Sequence, residues 1–382
     1  MPEGNEPQSV TQEPTSSVKP SSSRTPLSTP MLIAGAVALL ALVGLGYWTF
    51  NAKSAPQKQF VIGIPYFPQQ LDALAGFKMG MEKLGYKEGE NVRYDMARVI
   101  VGPTMFDELK SMGEGMIDEK VDLIFASLEH GAKVMLDVSK QKGSDIPIVF
   151  LTRFHDPIEY GLIESYRSSG NNTAGVAANM LEVIERNLEF FKEINPKFKK
   201  LGIFADGFMA PGVGDAHFAE LKKQASRFGI EIVEYKTSVP PPETEAEFNR
   251  VAATIKKGDI DGLFHIAGHF YPTQEAGESE LATRLGIPMA APFEDLPNGG
   301  MFSYSDEFGS SGEQAAVIAD KILRGMKPSD IPIEFGARSV LTLILGRARD
   351  AGVKFSDSML FIAENKFESG EDFPPIFHER KI

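Results

Sequence analysis

The sequence predicts a two-lobed α/β protein, built from doubly wound parallel sheets and preceded by a single N-terminal transmembrane helix. Three observations support this fold class. Short apolar runs alternate with longer amphipathic stretches from Phe60 onward, the alternation starts afresh near Gly175, and residues 31–50 carry no charge. Such alternation is typical of βαβ units around a parallel sheet. Two lobes suit this length better than one very large sheet.

The N-terminal segment predicts a membrane anchor. Residues 1–30 are rich in Pro, Ser and Thr, and we expect a disordered tail there. Residues 31–50, MLIAGAVALLALVGLGYWTF, are long enough to cross a hydrocarbon core of about 30 Å as a helix. We therefore predict a transmembrane anchor over 31–50 and a linker over 51–59. A cleaved secretory signal is the alternative, because Ala52-Lys53-Ser54 forms a weak cleavage site.

The globular part divides into predicted strands and helices. The predicted strands are the apolar runs FVIGIPYF, VDLIFAS, IPIVFLT, LGIFAD, DGLFHIAG and IPMAAP. The predicted helices are the amphipathic stretches 72–85, 104–119, 131–142, 182–194, 215–228 and 245–257. Gly85, Gly229 and Gly286 stand where glycines end helices. The predicted domains are lobe 1 over 60–173 and 301–326, lobe 2 over 174–300 and 327–365, and a C-terminal tail over 366–382.

Composition excludes several functions. The chain has no cysteine, so disulfides, thiolate metal sites, thiol nucleophiles and a lipid-modified cysteine anchor are impossible. Its net charge of −13 repels phosphate backbones, and we expect no nucleic-acid partner. No GxSxG motif and no Walker lysine occurs. We therefore expect neither an enzyme nor a nucleotide hydrolase, and no cofactor.

Several segments, in order, resemble bacterial ABC-transporter substrate-binding proteins of the type linked to tryptophan and tyrosine transport. The resemblance covers roughly 60–365 and leaves out the tail and the anchor. It rests on LGYKEGENV (84–92), VDLI (121–124), IPIVF (146–150), DP (156–157), GLI (161–163), NTAGV (172–176), EFFKEINP (189–196), GGMFSY (299–304) and ILRGMKPSDIPI (322–333).

The resemblance implies a periplasmic-binding-protein-like clamp of type I, which holds a small solute between its lobes. We expect chain crossings near 172–175, 299–301 and 326–331. The implied function is the membrane-anchored substrate-binding component of an ABC importer, with its domain on the extracytoplasmic side. Permease and ATPase subunits would be its partners. A membrane-tethered ligand sensor of the same fold is the alternative, although the 30-residue tail shows no signalling module.

Ligands of open α/β sheets bind outside the carboxyl ends of the strands, and this rule selects the candidate site. Ser127 would stand at a helix N-terminus, which favours a ligand carboxylate. Aromatic candidates would enclose an apolar body, and acidic ones would pair with an ammonium group. The candidate ligand-binding residues are Tyr66, Phe67, Ser127, Glu129, Phe154, Asp156, Asp206, His269, Phe270 and Glu294.

Some of these positions have other interpretations. Asp156 precedes Pro157 and could simply cap a turn. Glu129 and His130 replace the small residues usual in the family, and the loop at 267–270 lacks the usual acid, so the resemblance leaves an amino-acid ligand open. We expect no resident metal. A metal or metal-chelate site using His130, His155 and His269 is a minor alternative.

Overall fold

The computed structural model describes residues 58–100, 104–206, 215–237, 244–266 and 274–374. These residues lie in one compact unit, Lys58–Ile382, which contains two separate β-sheets. The predicted tail, anchor and linker at 1–57 lie outside the described residues. Within the part of the chain that is described, no helix is long and apolar enough to span a membrane.

The first sheet forms lobe 1. It has six strands in the order β11-β5-β4-β3-β1-β2, all of them parallel. The strands are β1 (Phe60–Tyr66), β2 (Val92–Arg98), β3 (Leu123–Ala126), β4 (Ile148–Leu151), β5 (Thr173–Ala177) and β11 (Glu334–Phe335). Its helices are α1 (Leu71–Lys83), α2 (Met105–Asp118), α3 (Glu129–Lys142) and α8 (Phe308–Leu323). Strands β3 and β4 are buried throughout, as parallel strands covered on both faces are.

The second sheet forms lobe 2. Within the described residues it has seven strands in the order β13-β12-β10-β9-β8-β6-β7, of which only β10 and β12 pair antiparallel. The strands are β6 (Lys200–Asp206), β7 (Glu231–Thr237), β8 (Gly262–Phe264), β9 (Met289–Ala290), β10 (Phe302–Asp306), β12 (Ser339–Ile344) and β13 (Asn365–Phe367). Its helices are α4 (Met180–Ile194), α5 (Asp215–Arg227), α6 (Thr244–Thr254), α7 (Gln274–Leu285), α9 (Leu345–Asp350) and α10 (Asp357–Ile362).

The two sheets repeat one topology. The order β2-β1-β3-β4-β5 in lobe 1 is matched by β7-β6-β8-β9-β10 in lobe 2. In each lobe the strand order reverses beside the first strand, which is where open α/β sheets bind ligands. The two-lobed α/β architecture with parallel sheets is thus as predicted, although no sequence repeat is visible.

The lobe boundaries lie later in the chain than predicted. Strand β5 completes the first sheet and β10 lies within the second, so the chain crosses at 177–179 and at 306–307. Likewise β11 pairs with β5, which puts the third crossing after Phe335. The predicted boundaries were wrong because each was drawn before a strand that hydrogen bonding assigns to the preceding sheet. The predicted tail also begins too early, since β13 pairs with β12 through Phe367.

Helix α8 returns to lobe 1 because it packs closely on α1. Glycines make this contact possible: a Cβ at Gly76 would clash with the carbonyl of Gly309, and one at Gly312 would clash with the carbonyl of Ala73. The two backbones therefore approach more closely than any larger residue permits.

Asp306 joins the three crossings. Its carboxylate accepts hydrogen bonds from the backbone N–H of Asn179 (2.8 Å) and from the hydroxyl of Ser339 (2.6 Å). The Asn179 amide also donates to the carbonyl of Gly336 at 3.1 Å. Burial raises the pKa of Asp306 above its ordinary value. One buried side chain thus contacts residues in or beside all three connections between the lobes.

Candidate ligand-binding cleft

Glu129 forms the rigid part of the lobe 1 wall. It opens α3 and is fully buried. Its carboxylate accepts hydrogen bonds from the backbone N–H groups of Arg153 (2.9 Å) and Phe154 (2.8 Å), and it contacts Nδ1 of His155 at 2.9 Å. Burial raises the pKa of Glu129, but the bond with His155 and the charge of His130 more than offset it, and the pKa is lowered. Glu129 therefore fixes the loop after β4.

Ser127 lies two residues before the start of α3, as predicted for a helix N-terminus. It is 1% exposed, and its hydroxyl has no hydrogen-bond partner among the described residues. The N-cap residue of α3, Leu128, supplies no side-chain cap. A buried hydroxyl beside a helix N-terminus can serve a ligand carboxylate.

Arg153 links the two lobes. Its guanidinium forms an ion pair with Glu294, which lies in the 3-10 turn Phe293–Asp295 of lobe 2. Both side chains are buried, with 10% and 3% of their surface exposed. The guanidinium also lies over the rings of Phe154 and Phe308, at 4.9 and 5.2 Å from their centroids. Such contacts stabilise a desolvated cation.

His217 is the second contact across the cleft. It lies on α5 of lobe 2, and its ring stacks on Phe154 of lobe 1 at a centroid distance of 6.0 Å. Both ring nitrogens are buried and have no partner among the described residues. Burial, reinforced by the nearby charge of Arg153, lowers the pKa of His217 to about 4. The imidazole is therefore neutral at physiological pH.

A small cavity of about 50 Å³ lies between the lobes. Lobe 2 supplies most of its lining, and Arg153 and Phe308 close it from lobe 1. It is lined by Arg153, Ala178, Met180, Val183, Asn187, His217, Phe264, Ala291, Pro292, Ser303, Tyr304, Ser305, Asp306 and Phe308. A cavity of this size holds one or two waters, whereas small-molecule sites occupy roughly 300–1,000 Å³. The lobes are therefore closed on one another.

Lobe 2 holds a buried cluster of titratable groups beside the cleft. His265 follows β8, and its Nδ1 lies 3.0 Å from Glu278, while its Nε2 lies 3.6 Å from Glu275 and 3.9 Å from Asp295. Burial lowers the pKa of His265, but the Glu278 carboxylate more than offsets this and the pKa is raised to about 9. Burial raises the pKa of Glu275 to about 7.

The structure brings part of the predicted site together. None of the seven candidates whose side chains the structure describes lines the cavity itself, but Phe154 and Glu294 contact residues that do, and Ser127 and Glu129 lie on the same wall. Phe67 is in the core of lobe 1, and Tyr66 packs partly against that lobe's other core cluster. Asp206 ends β6, and its side chain lies outside what the structure describes, as do His269 and Phe270.

Asp156 has the structural contacts expected of a turn cap. Its carboxylate accepts hydrogen bonds from the backbone N–H groups of Ile158 (2.8 Å) and Glu159 (3.1 Å) and from the hydroxyl of Tyr166 (2.6 Å). These bonds occupy the carboxylate within lobe 1.

Sequence reasoning missed the central residues of the cleft. Arg153 lies in the loop after β4 that holds the candidates Phe154 and Asp156, but it was not itself among the predicted ligand-binding residues. His217 lies on an amphipathic helix with no motif. Asp306 ends a strand that was assigned to the other lobe. Only the position of Arg153 at the carboxyl end of a strand gave a signal.

Comparison with known proteins places the chain in a class. Residues 64–367 match the sequence profile of a family described as ABC transporter substrate binding protein. A tyrosine-binding protein of Clostridioides difficile is 26% identical over 313 residues, covering 79% of this chain and 86% of the relative.

Solved structures share the fold. A domain of Streptococcus pneumonia in complex with L-Trp superposes with a TM-score of 0.67 at 17% identity, covering 81% of this chain and 100% of that one. A ligand-free, open substrate-binding protein of Clostridium difficile gives a TM-score of 0.62 at 21% identity, covering 82% and 99%. The chain therefore belongs to the ABC transporter substrate-binding protein family, as the sequence motifs indicated. It is a solute-binding protein and binds small ligands.

Proposed function

We propose that this protein captures an amino acid with an aromatic or apolar side chain between its lobes and delivers it to an ABC importer. The observation that carries the proposal is the ion pair of Arg153 and Glu294, which face one another across the cleft. A zwitterionic α-amino acid offers the complementary groups: its carboxylate would bind Arg153 and its ammonium group would bind Glu294. Ser127 would be a second donor to the carboxylate.

The surroundings of the ion pair suit an apolar side chain. Phe154, Phe264 and Phe308 lie beside Arg153 or His217, and the neutral imidazole adds a further flat ring. Aromatic pockets bind rings in stacked and edge-on arrangements. The names of the tyrosine-binding relative and of the L-Trp complex support the same ligand class.

Ligand binding would require the lobes to open. The ion pair occupies the interface, and the remaining cavity of about 50 Å³ is too small for an amino acid. Rotation at the crossings 177–179, 306–307 and 336–338 would separate Arg153 from Glu294. The ligand would then replace each partner of the pair with its own charged group, so that closure leaves neither charge buried alone.

The remaining parts of the importer would come from other chains. We propose that residues 31–50 anchor the protein in the cell membrane with its globular part on the extracytoplasmic side, and that permease and ATPase subunits receive the solute. N-terminal sequencing of the membrane-purified protein tests the anchor. A mature chain that begins near Ala55 would show that the segment is a cleaved signal.

Titration calorimetry on the full-length protein tests the ligand. L-Tyrosine, L-tryptophan and L-leucine are compared with tyramine, which lacks the carboxylate. We expect binding of at least one amino acid and none of tyramine. Arg153→Gln and Glu294→Gln should each weaken binding by about 10- to 100-fold, since each removes a charge-assisted hydrogen bond of about 1.5–3 kcal/mol.

Arg167→Gln and Glu280→Gln are the matched controls, because both residues are exposed. They should bind as the wild type does. Equal affinities for tyrosine and tyramine would contradict the assignment of Arg153, and failure of every amino acid to bind would contradict the ligand class.

A further inference from the structure

We propose that His265, Glu275 and Asp295 hold a divalent transition-metal ion in lobe 2, beside the cleft. This site goes beyond solute capture, and it differs from the expectation of no resident metal. One ligand atom from each residue can be chosen so that all three lie within 4.8 Å of one another. The three residues come from three elements: the end of β8, the first turn of α7, and the 3-10 turn after β9.

The distances suit a first-row metal ion. Metal bonds of about 2.0–2.2 Å in a tetrahedral arrangement place ligand atoms roughly 3.3–3.5 Å apart. Nε2 of His265 lies 3.6 Å from Glu275 and 3.9 Å from Asp295. Both distances exceed a hydrogen bond and are about 0.1–0.6 Å longer than the coordination geometry, and the chosen Glu275 and Asp295 oxygens lie within 4.8 Å of one another. Small side-chain shifts would therefore bring all three atoms onto one ion. Imidazole together with carboxylates suits zinc and its neighbours, and the absence of cysteine leaves nitrogen and oxygen as the ligands.

Glu278 orients the imidazole. It contacts Nδ1 of His265 at 3.0 Å, and its other oxygen accepts a hydrogen bond from the amide of Gln274 at 2.8 Å. The N–H of the second ring nitrogen of a metal-binding histidine commonly donates a hydrogen bond to a carboxylate, and this bond fixes the tautomer whose other nitrogen binds the metal. Here Nδ1 would carry the proton, and Nε2 would face Glu275 and Asp295.

The net charge of the cluster gives independent support for a bound cation. His265 and Glu278 are almost fully buried, while Glu275 and Asp295 are 13% and 15% exposed. Among the described residues, no lysine or arginine pairs with these three acids, and one buried oxygen of Glu275 has no hydrogen-bond partner. Three acids around one imidazole leave an excess of largely buried negative charge even when the imidazole is protonated, and this excess is costly unless a further cation is present. A divalent ion would neutralise it.

A metal ion at this site would also fix part of the lobe 2 side of the cleft. Asp295 adjoins Glu294 in the same 3-10 turn, and Glu294 pairs with Arg153 of lobe 1. A metal bound to Asp295 would fix this turn against β8 and α7.

The test is calorimetric titration of the full-length protein with Zn²⁺ after EDTA treatment, with no amino acid present. We expect one equivalent to bind. His265→Gln should abolish this binding, Glu275→Gln and Asp295→Asn should each weaken it at least about 10-fold, and Glu278→Gln should weaken it about 10- to 100-fold. Glu280→Gln, an exposed acid on the same helix, should leave it unchanged.

X-ray absorption spectroscopy is done on the wild-type protein, so its result does not depend on whether a variant folds. The spectrum should show an imidazole nitrogen among the zinc ligands. A first shell without imidazole, or equal zinc binding by wild type and His265→Gln, would overturn the proposal, as would absence of zinc binding. The titration contains no amino acid, so its result is independent of the proposed solute. Zinc binding without amino-acid binding would support this site and contradict the proposed ligand.

Discussion

In lobe 1 the buried carboxylate of Glu129 accepts two backbone hydrogen bonds, whereas in lobe 2 three carboxylates surround the single imidazole of His265. In the first arrangement the backbone of lobe 1 supplies the hydrogen-bond donors. The second depends on side chains from separate elements, and among the described residues the imidazolium of His265 is the cation that faces three carboxylates. The comparison shows that backbone hydrogen bonds hold the buried charge in lobe 1, whereas contacts between titratable side chains hold the buried charges in lobe 2.

The largest effect should come from Glu129→Gln. The amide would turn an NH₂ group toward backbone N–H donors, so that one buried donor loses its partner. We expect the free energy of unfolding to fall by about 2–4 kcal/mol, measured by urea denaturation at pH 7. Glu119→Gln, at an exposed position of the same lobe, is the control. A loss below about 0.5 kcal/mol would show that Glu129 does not fix the loop after β4.

His217 should make stability depend on pH. Its folded pKa of about 4 lies below the unfolded value of about 6.5, so the unfolded state takes up the proton first as the pH falls. This contribution is fully present above pH 6.5 and is lost between pH 6.5 and 4, by about 1–3 kcal/mol. His217→Phe should remove that part of the pH dependence in thermal unfolding. An unchanged pH profile in the variant would contradict a buried, neutral imidazole.

Asp156 tests whether a second carboxylate of lobe 1, nearer the surface, also stabilises a loop by accepting backbone hydrogen bonds. Asp156→Ala removes the acceptor of two backbone N–H groups and of the Tyr166 hydroxyl, and should cost about 1 kcal/mol of stability. Solute affinity should stay as in the wild type, because these contacts lie within lobe 1. Weaker solute binding at unchanged stability would instead make Asp156 a ligand-binding residue.

The smallest effect on stability should come from Glu278→Gln in the presence of EDTA. The variant loses one charge from an excess of negative charge, and Glu275 and Asp295 still face the imidazole. We expect a change below about 1 kcal/mol in thermal unfolding. A loss of stability as large as that caused by Glu129→Gln would show that the Glu278 carboxylate stabilises lobe 2 as strongly as Glu129 stabilises lobe 1. That result would contradict the difference drawn between the two lobes.

Much of the fold follows from the sequence because its signals are local. Apolar runs predicted the buried strands β1, β3, β4 and β6, and the amphipathic stretches between them predicted the helices. The lobe boundaries were missed because an isolated strand such as Phe302–Asp306 carries no information about which sheet it joins. That assignment depends on hydrogen bonding with strands far away in the chain.

The site was predicted only in part for a related reason. Glu129 and Phe154 follow strands and were selected by position, but their partners Arg153 and His217 gave no distinguishing signal. The roles of these residues arise from contacts between lobes.

By itself, the sequence determined the α/β class, the membership of the family and the exclusion of cysteine chemistry, because periodicity, composition and ordered motifs are properties of the chain. Only the tertiary structure decided which residues face the cleft. Arg153 meets Glu294, and His265 meets Glu275 and Asp295, across separations that no sequence window covers. Burial then sets their charges, since desolvation depends on everything packed around a group and not on its neighbours in sequence.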